Sequence, residues 1–172
     1  MASIRMKRIN RKGQRAQGLV EFALAFPVFL LIVLGIFEFG RLMFTYATVF
    51  TASREAARYG ATVTNAEDCA GMEAAARNIS VLADVSNIMI YYDKGGTDLR
   101  SIARETDPAG SLSSLRECGT GTDEIVLGDR IIVLVTTPYM PVVGPMVGIK
   151  NAFTISSLVS RTLVKEVKWQ NP

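Results

Sequence analysis

The chain has 172 residues, 49% of them hydrophobic and 20% charged, with 19 Lys and Arg against 16 Asp and Glu, two Cys and no His. That length holds one ordinary globular domain, and the positive mean hydropathy predicts that part of the chain is not dissolved in water. Without His there is no Ser-His or Cys-His nucleophile pair and no imidazole metal ligand, and two Cys are too few for a Cys-only structural zinc site.

The net charge of +3 is unevenly spread along the chain. The first 16 residues, MASIRMKRINRKGQRA, hold six bases and no acid, so the remainder carries 13 bases against 16 acids. Nucleic-acid binding needs a basic face on a folded body. Here the excess sits in one terminal arm, and no nucleic-acid partner is expected. Residues 22–37 (FALAFPVFLLIVLGIF) follow without a charge. Taken over 19–37, a helix rising about 1.5 Å per residue reaches roughly 28 Å, close to the hydrocarbon thickness of a bilayer. One membrane-spanning helix is the expectation. The bases before it place its N-terminus in the cytoplasm, with Glu38 and Arg41 at its outer end. A cleaved secretory signal is disfavoured, because the apolar run exceeds the ~7–15 residues of such a core and no small-x-small site closes it.

Helical patterning continues past the apolar run. Leu42, Met43, Tyr46, Val49, Phe50, Ser53, Ala56, Ala57 and Gly60 recur at three- and four-residue steps, with Arg54, Glu55 and Arg58 mostly on the other side. Residues 19–59 then form one long rod, bent at Pro27, a residue tolerated in membrane helices. Glu38 and Arg41 are three apart and can pair at the outer interface, although simple membrane anchoring is the favoured account of them.

The rest reads as a small α+β domain. Residues 64–67 (TNAE) have capping-box spacing for a helix over 66–82 that buries Met72, Ala75, Ala76, Ile79 and Leu82. Three β-rich runs follow at 87–92, 130–137 and 152–167. The last alternates with a slip at Leu158, which predicts one wet face and a bulge near Ser160. Polar residues 93–123 read as loop, and Pro138, Pro141 and Pro145 make the second connection irregular. No crossover helix separates the last two runs, so the sheet is expected to be mainly antiparallel and to meet the Leu42, Tyr46 and Phe50 stripe of the long helix. The predicted organisation is a basic cytoplasmic arm (1–16), a long helix (17–60, with 19–37 in the membrane and 39–60 amphipathic) and an extracytoplasmic α+β domain (61–172). Cys69 and Cys118 both fall on the exterior side, and a disulfide is favoured over two free thiols on compartment grounds.

Enzyme signatures fail on spacing. Residues 144–150 (GPMVGIK) do not match a phosphate-binding loop, and 119–123 (GTGTD) lack the third Gly of a dinucleotide fingerprint. Asp93, Asp98, Asp123, Glu124 and Asp129 are not spaced as an EF-hand loop. Asn78-Ile79-Ser80 matches a glycosylation triplet but falls within the predicted helix. No catalytic residue, cofactor or metal site is expected.

The stretch RAQGLVEFALAFPVFLLIVLGIFEFGRLMFTYATVFTASREAARYGA resembles the TadE-like pseudopilins, minor pilin-related components of the tight-adherence (Tad) branch of type IV pili. Its most specific parts are QGLVEFAL, Pro27, GIFEFGRL and REAARYGA, and weaker similarity runs on to SRTLVKE. The resemblance implies a short basic leader removed on the cytoplasmic side by a membrane-embedded aspartic prepilin peptidase, usually after a Gly, leaving Glu as the fifth mature residue. Counting back from Glu21 sets the cut between Ala16 and Gln17, so Ala stands where the family pattern has Gly. A carboxylate near the membrane end of an apolar helix is costly unless paired. By resemblance, Glu21 meets the new α-amino group of Gln17 on a neighbouring subunit and sets the register of assembly; taken alone, the same residue reads as an interfacial Glu facing water. The expected protein is a non-enzymatic, single-pass minor pilin or pseudopilin of a Tad-type pilus that initiates, assembles or caps the filament. Its partners would be the lipid bilayer, the prepilin peptidase, other pilins and pseudopilins, and the pilus assembly platform. Two alternatives stand beside it: a permanently anchored extracytoplasmic ligand-binding protein, and the structural subunit of the filament itself.

Overall fold

The computed structural model describes residues 11–79, 85–102, 108–120, 125–148 and 151–163. The chain divides into two compact units, Met1–Gly40 and Arg41–Pro172. Helix α1, Arg11–Gly60, contributes its apolar first part to one unit and its last twenty residues to the other. Within the first unit, every described side chain from Gln17 to Val33 is exposed.

The second unit is built on a four-stranded antiparallel sheet. Its strands are β1 (Asn87–Asp93), β2 (Arg116–Glu117), β3 (Arg130–Tyr139) and β4 (Phe153–Thr162), in the order β2-β1-β3-β4. All three β-rich runs therefore form strands, and the expected α+β class with a mainly antiparallel sheet holds. The centre of β3 is buried on both faces, since Ile131, Ile132, Val133, Leu134 and Val135 are all closed to solvent. Burying each such side chain contributes about 1.5–3 kcal/mol relative to leaving it exposed.

One face of the sheet carries Ile131, Val133 and Val135 against the outer part of α1 and against α2, Cys69–Ile79. The contact surface of α1 differs from the expected stripe. Thr45, Thr48, Val49, Ala52, Ser53, Ala56 and Ala57 are buried, whereas Tyr46 and Phe50 are 53% and 41% exposed and stack on each other at 6.5 Å. Leu42 packs at the margin of this core. The reason is steric: small residues let the helix approach a sheet of large branched side chains, and rings at those positions would hold it off. Gly60 marks the closest approach, because a Cβ there would overlap Met72 Sδ and lie 2.9 Å from Ile131 Cδ1. At the Ser53 position the helix meets β4 through a buried hydroxyl pair, Ser53 Oγ to Ser157 Oγ at 2.8 Å.

Helix α2 starts later than the capping-box spacing predicts. A single 3-10 turn, Val63–Asn65, precedes the helix, with Asn65 N–H bonded to Thr62 O and Asp68 N–H to Asn65 O, so Asp68 is the residue before α2. Its Oδ1 accepts the Gly71 N–H at 2.9 Å, the N-cap to N3 bond that satisfies an orphan donor. Met72 and Ala76 are buried as expected, while Ala75 and Ile79 are only partly covered and Leu82 lies outside the described residues.

The opposite face of the sheet is covered at its centre and wet along much of β4, where Thr154, Ser156 and Thr162 are exposed as the alternation predicts. Short helices α3 (Leu99–Ile102) and α4 (Pro108–Leu112) cover the centre, and Ile102 and Leu112 form a second small core with Tyr91, Ile132 and Leu134. Leu158 packs on this second core. The apparent slip in β4 is thus local: Leu158 lies on the otherwise wet face, at the one stretch where the second core reaches the strand. β3 and β4 pair in one unbroken register from Arg130↔Thr162 to Tyr139↔Phe153, and no bulge occurs near Ser160.

Candidate functional site

The residues singled out in sequence fall into three places. The first is the N-terminal part of α1. Gln17 Nε2 donates to Glu21 Oε1 at 3.1 Å, an i,i+4 contact on the exposed helix, so the carboxylate has one neutral donor from its own chain. The Phe22 and Phe26 rings approach at 5.4 Å on the next turn. Pro27 lies inside the helix, where its missing N–H leaves the Ala23 carbonyl without the usual partner. Ala16 belongs to α1, and its side chain is outside the described residues.

Around this segment, Leu19, Phe22, Leu24, Phe29, Leu31, Ile36 and Phe37 are each more than 60% exposed. Soluble monomers rarely expose a contiguous apolar surface of that extent, so it marks contact with lipid or with other protein. The helix is long and apolar enough to cross a membrane.

The second place is the start of the second unit. Arg41 donates from Nη2 to the Met140 carbonyl, and its guanidinium lies over the Tyr139 ring at 4.3 Å. This side chain therefore ties the connection after β3 to the helix, a role its spacing from Glu38 does not reveal. Glu38 lies in the first unit, two residues before Gly40.

The third place is the disulfide. Cys69 and Cys118 are bonded, with their Cα atoms 5.9 Å apart, and join the start of α2 to the turn after β2. Tyr92 sits beneath them. Its hydroxyl donates to the Ala66 carbonyl and lies 2.8 Å from Cys118 Sγ, while the Arg116 guanidinium lies 5.4 Å from its ring centroid. Burial pushes the Tyr92 phenol up to about 12. Arg116 also stands 3.9 Å from Glu67 across the mouth of a small cleft.

No group of three potential metal ligands occurs among the described residues. The acids of the long connection have separate local partners instead. Asp98 Oδ1 accepts the Arg100 N–H, Asp129 Oδ2 accepts the Val126 N–H, and Asp93 pairs with Arg130. Asp123 and Glu124 lie outside the described residues. A groove of about 390 Å³ between α1 and α2 is floored by Gly71, Ala74 and Ala75 and edged by Glu55 and Tyr59. Two of its polar side chains are used internally, Glu55 by Arg58 and the Tyr59 hydroxyl by Asp68 Oδ2 at 2.8 Å. The Gly71 N–H, followed by the Tyr59 hydroxyl, holds the Asp68 carboxyl below the usual carboxylate range.

Asp93 and Arg130 are directly opposed on β1 and β3 and form an ion pair in which the carboxylate is nearly closed to water. Burial alone would raise the Asp93 pKa, but hydrogen bonds from Arg130 and from the Thr97 N–H outweigh it and hold the carboxyl below its ordinary value. The pair's stabilisation is therefore complete above the usual carboxylate pKa of about 4 and is lost as pH falls through the lower folded value. Arg130→Met is expected to cost about 2 kcal/mol, less than the ~3–5 kcal/mol of a fully buried pair because Arg130 keeps contact with water. The variant's acid unfolding midpoint, followed by circular dichroism, should move to higher pH. An unchanged midpoint would show that the pair carries no stability.

An apolar helix of membrane-spanning length leading into a helix-backed antiparallel sheet defines a protein with one N-terminal helix suited to membrane anchoring and a small α+β body. A family model described as TadE-like protein matches residues 16–58, the whole of that helix beyond its basic start. Over that segment, about a quarter of the chain, the protein is similar to the TadE-like family. No curated protein and no solved structure matches the chain.

Proposed function

We propose that the chain is a minor pilin or pseudopilin of a Tad-type pilus, held by α1 in the cytoplasmic membrane with its N-terminus inside and the α+β body outside. A prepilin peptidase cuts it between Ala16 and Gln17, and the mature protein initiates, assembles or caps the filament together with other pilins and the assembly platform.

The observation that carries this reading is the apolar segment of α1, exposed from Gln17 to Val33 and matched by the TadE-like family model from residue 16 onward. A helix that apolar, exposed over this stretch among the described residues, requires lipid before assembly and neighbouring helices afterwards. The basic arm before it and the oxidised cysteines after it agree with the inside-to-outside orientation. Ala16 in place of the family's Gly keeps a small side chain beside the proposed cut.

Intact mass and N-terminal sequencing of the protein recovered from membranes, with and without the peptidase, test the processing step. Gln17 is the expected first residue when the peptidase is active, and the uncut arm is expected when it is absent. A chain that still begins at Met1 or Ala2 in the presence of active peptidase overturns the pilin pathway and favours a permanently anchored protein.

A further inference from the structure

The end of the sheet at which β3 finishes and β4 begins carries an exposed apolar surface, separate from the apolar segment of α1. Met140 is 47% exposed, Val142 66% and Phe153 44%, and on α1 beside them in sequence to Arg41, Met43 and Phe44 are similarly open. Residues 138–148 contain no charged side chain. Tyr139 and Phe153 bring their rings to 5.1 Å, and the Arg41 guanidinium holds both the Tyr139 ring and the Met140 carbonyl. The patch is thus fastened to the first residue of the second unit.

Its place in the chain decides what can cover it. Arg41 follows Phe37, the end of the uncharged run, by four residues. Even an extended chain keeps these residues within about 15 Å of each other, and helical spacing brings them to about 6 Å. The headgroup layer of a bilayer is about 5–8 Å deep on each side of the hydrocarbon. A surface of Met, Val and Phe fastened to a residue so near the end of the uncharged run suits the boundary between headgroups and acyl chains, where burial of apolar side chains is favourable and an aromatic pair is at home.

We propose that the turn after β3, with Met140 and Val142 at its tip and Phe153 beside it, inserts into the outer headgroup region of the membrane that holds α1, so that the α+β body rests on lipid before assembly. The occupant is the bilayer surface. This rests on the reading of α1 as a membrane span, and the experiment separates failure of the two.

The full-length chain, with Trp169→Phe to remove the native indole, is reconstituted in phosphatidylcholine and phosphatidylglycerol vesicles. Three variants carry one Trp each, as Val142→Trp, Leu127→Trp or Ile32→Trp, and the lipids carry bromine either near the headgroup or deep in the acyl chains. Leu127 is 55% exposed and adjoins the other end of β3, about 30 Å along the sheet, so it has the same bias of Trp toward interfaces without the same position. Shallow bromines are expected to remove most of the Val142→Trp emission and to leave Leu127→Trp unaffected, while deep bromines quench Ile32→Trp. If Val142→Trp is as bright as Leu127→Trp while Ile32→Trp is quenched, the span stands and the proposal falls. Equal quenching at Val142 and Leu127 also overturns it, because contact would then not be confined to this end. An unquenched Ile32→Trp removes the membrane reading and the proposal with it.

Discussion

Replacing Cys69 and Cys118 together by Ser is expected to lower the stability of the α+β body by about 4 kcal/mol in the chain-entropy model, for cysteines 49 residues apart in sequence. That is a large share of the 5–15 kcal/mol that a domain of this size ordinarily has. The location of the bridge adds to the expectation. β2 has only two residues and pairs with β1 through Tyr91↔Glu117 and Tyr92↔Arg116, so little besides the disulfide holds this edge to α2. Loosening the edge lets water reach the Tyr92 hydroxyl. Its phenol, raised to about 12 by burial, should then titrate closer to the ordinary value of about 10. The sign follows from linkage: a phenol raised on folding contributes stability that is complete below about pH 10 and lost as pH rises toward 12.

Thermal and denaturant unfolding of the full chain in detergent, followed by near-ultraviolet circular dichroism, measures the first effect, and tyrosinate absorbance measures the second. Using the double variant avoids a lone reactive thiol. A loss below about 1 kcal/mol, together with an unchanged Tyr92 titration, would show that the edge is held by packing and that the bridge is dispensable.

The course of the chain was legible wherever a run had one clear period. Residues 87–92 and 130–137 became β1 and most of β3, and the absence of a crossover helix foretold antiparallel pairing. What escaped depended on partners distant in sequence. Tyr46 and Phe50 are the most conspicuous apolar residues of the outer helix, yet the core took the small ones, because close approach to a sheet of Ile and Val outweighs the hydrophobicity of an individual ring. The second core was hidden for a related reason. Leu99, Ile102, Leu112 and Leu115 are scattered through a polar Gly, Ser and Asp background, and helices of four and five residues are too short to show a period. Once the centre of that face is covered, Leu158 ceases to be an irregularity. Arg41 illustrates the same limit at the candidate site: its contacts with the Tyr139 ring and the Met140 carbonyl join residues about a hundred positions apart, which only the fold brings together.

Glu21→Ala is expected to leave membrane insertion intact while abolishing pilus assembly. Insertion depends on the apolar surface of residues 22–37, and removing a carboxylate from its edge makes the segment more apolar. Assembly differs because helices leaving lipid for a filament exchange one apolar environment for another, and a charge at one depth then acts as a register mark. In the isolated chain Glu21 has the Gln17 side-chain amide at 3.1 Å, a neutral donor that solvates the carboxylate without neutralising it. On the proposed reading, cleavage after Ala16 creates the missing cation at the α-amino group of Gln17, and a neighbouring subunit presents it to Glu21. Two consequences separate this pairing from a general effect of losing a polar residue. Glu21→Gln, which keeps size and hydrogen bonding but removes the charge, should fail as completely as Glu21→Ala. Cells lacking the peptidase, in which the amine never forms, should show the same loss, and adding Glu21→Ala there should make it no worse, as expected for two changes that remove one interaction. Flotation of membranes with a tagged chain checks insertion, and electron microscopy with blotting of the sheared surface fraction checks pili. Normal pili in Glu21→Ala, or rescue by Gln, would remove the charge pair from the mechanism and return Glu21 to an interfacial side chain facing water.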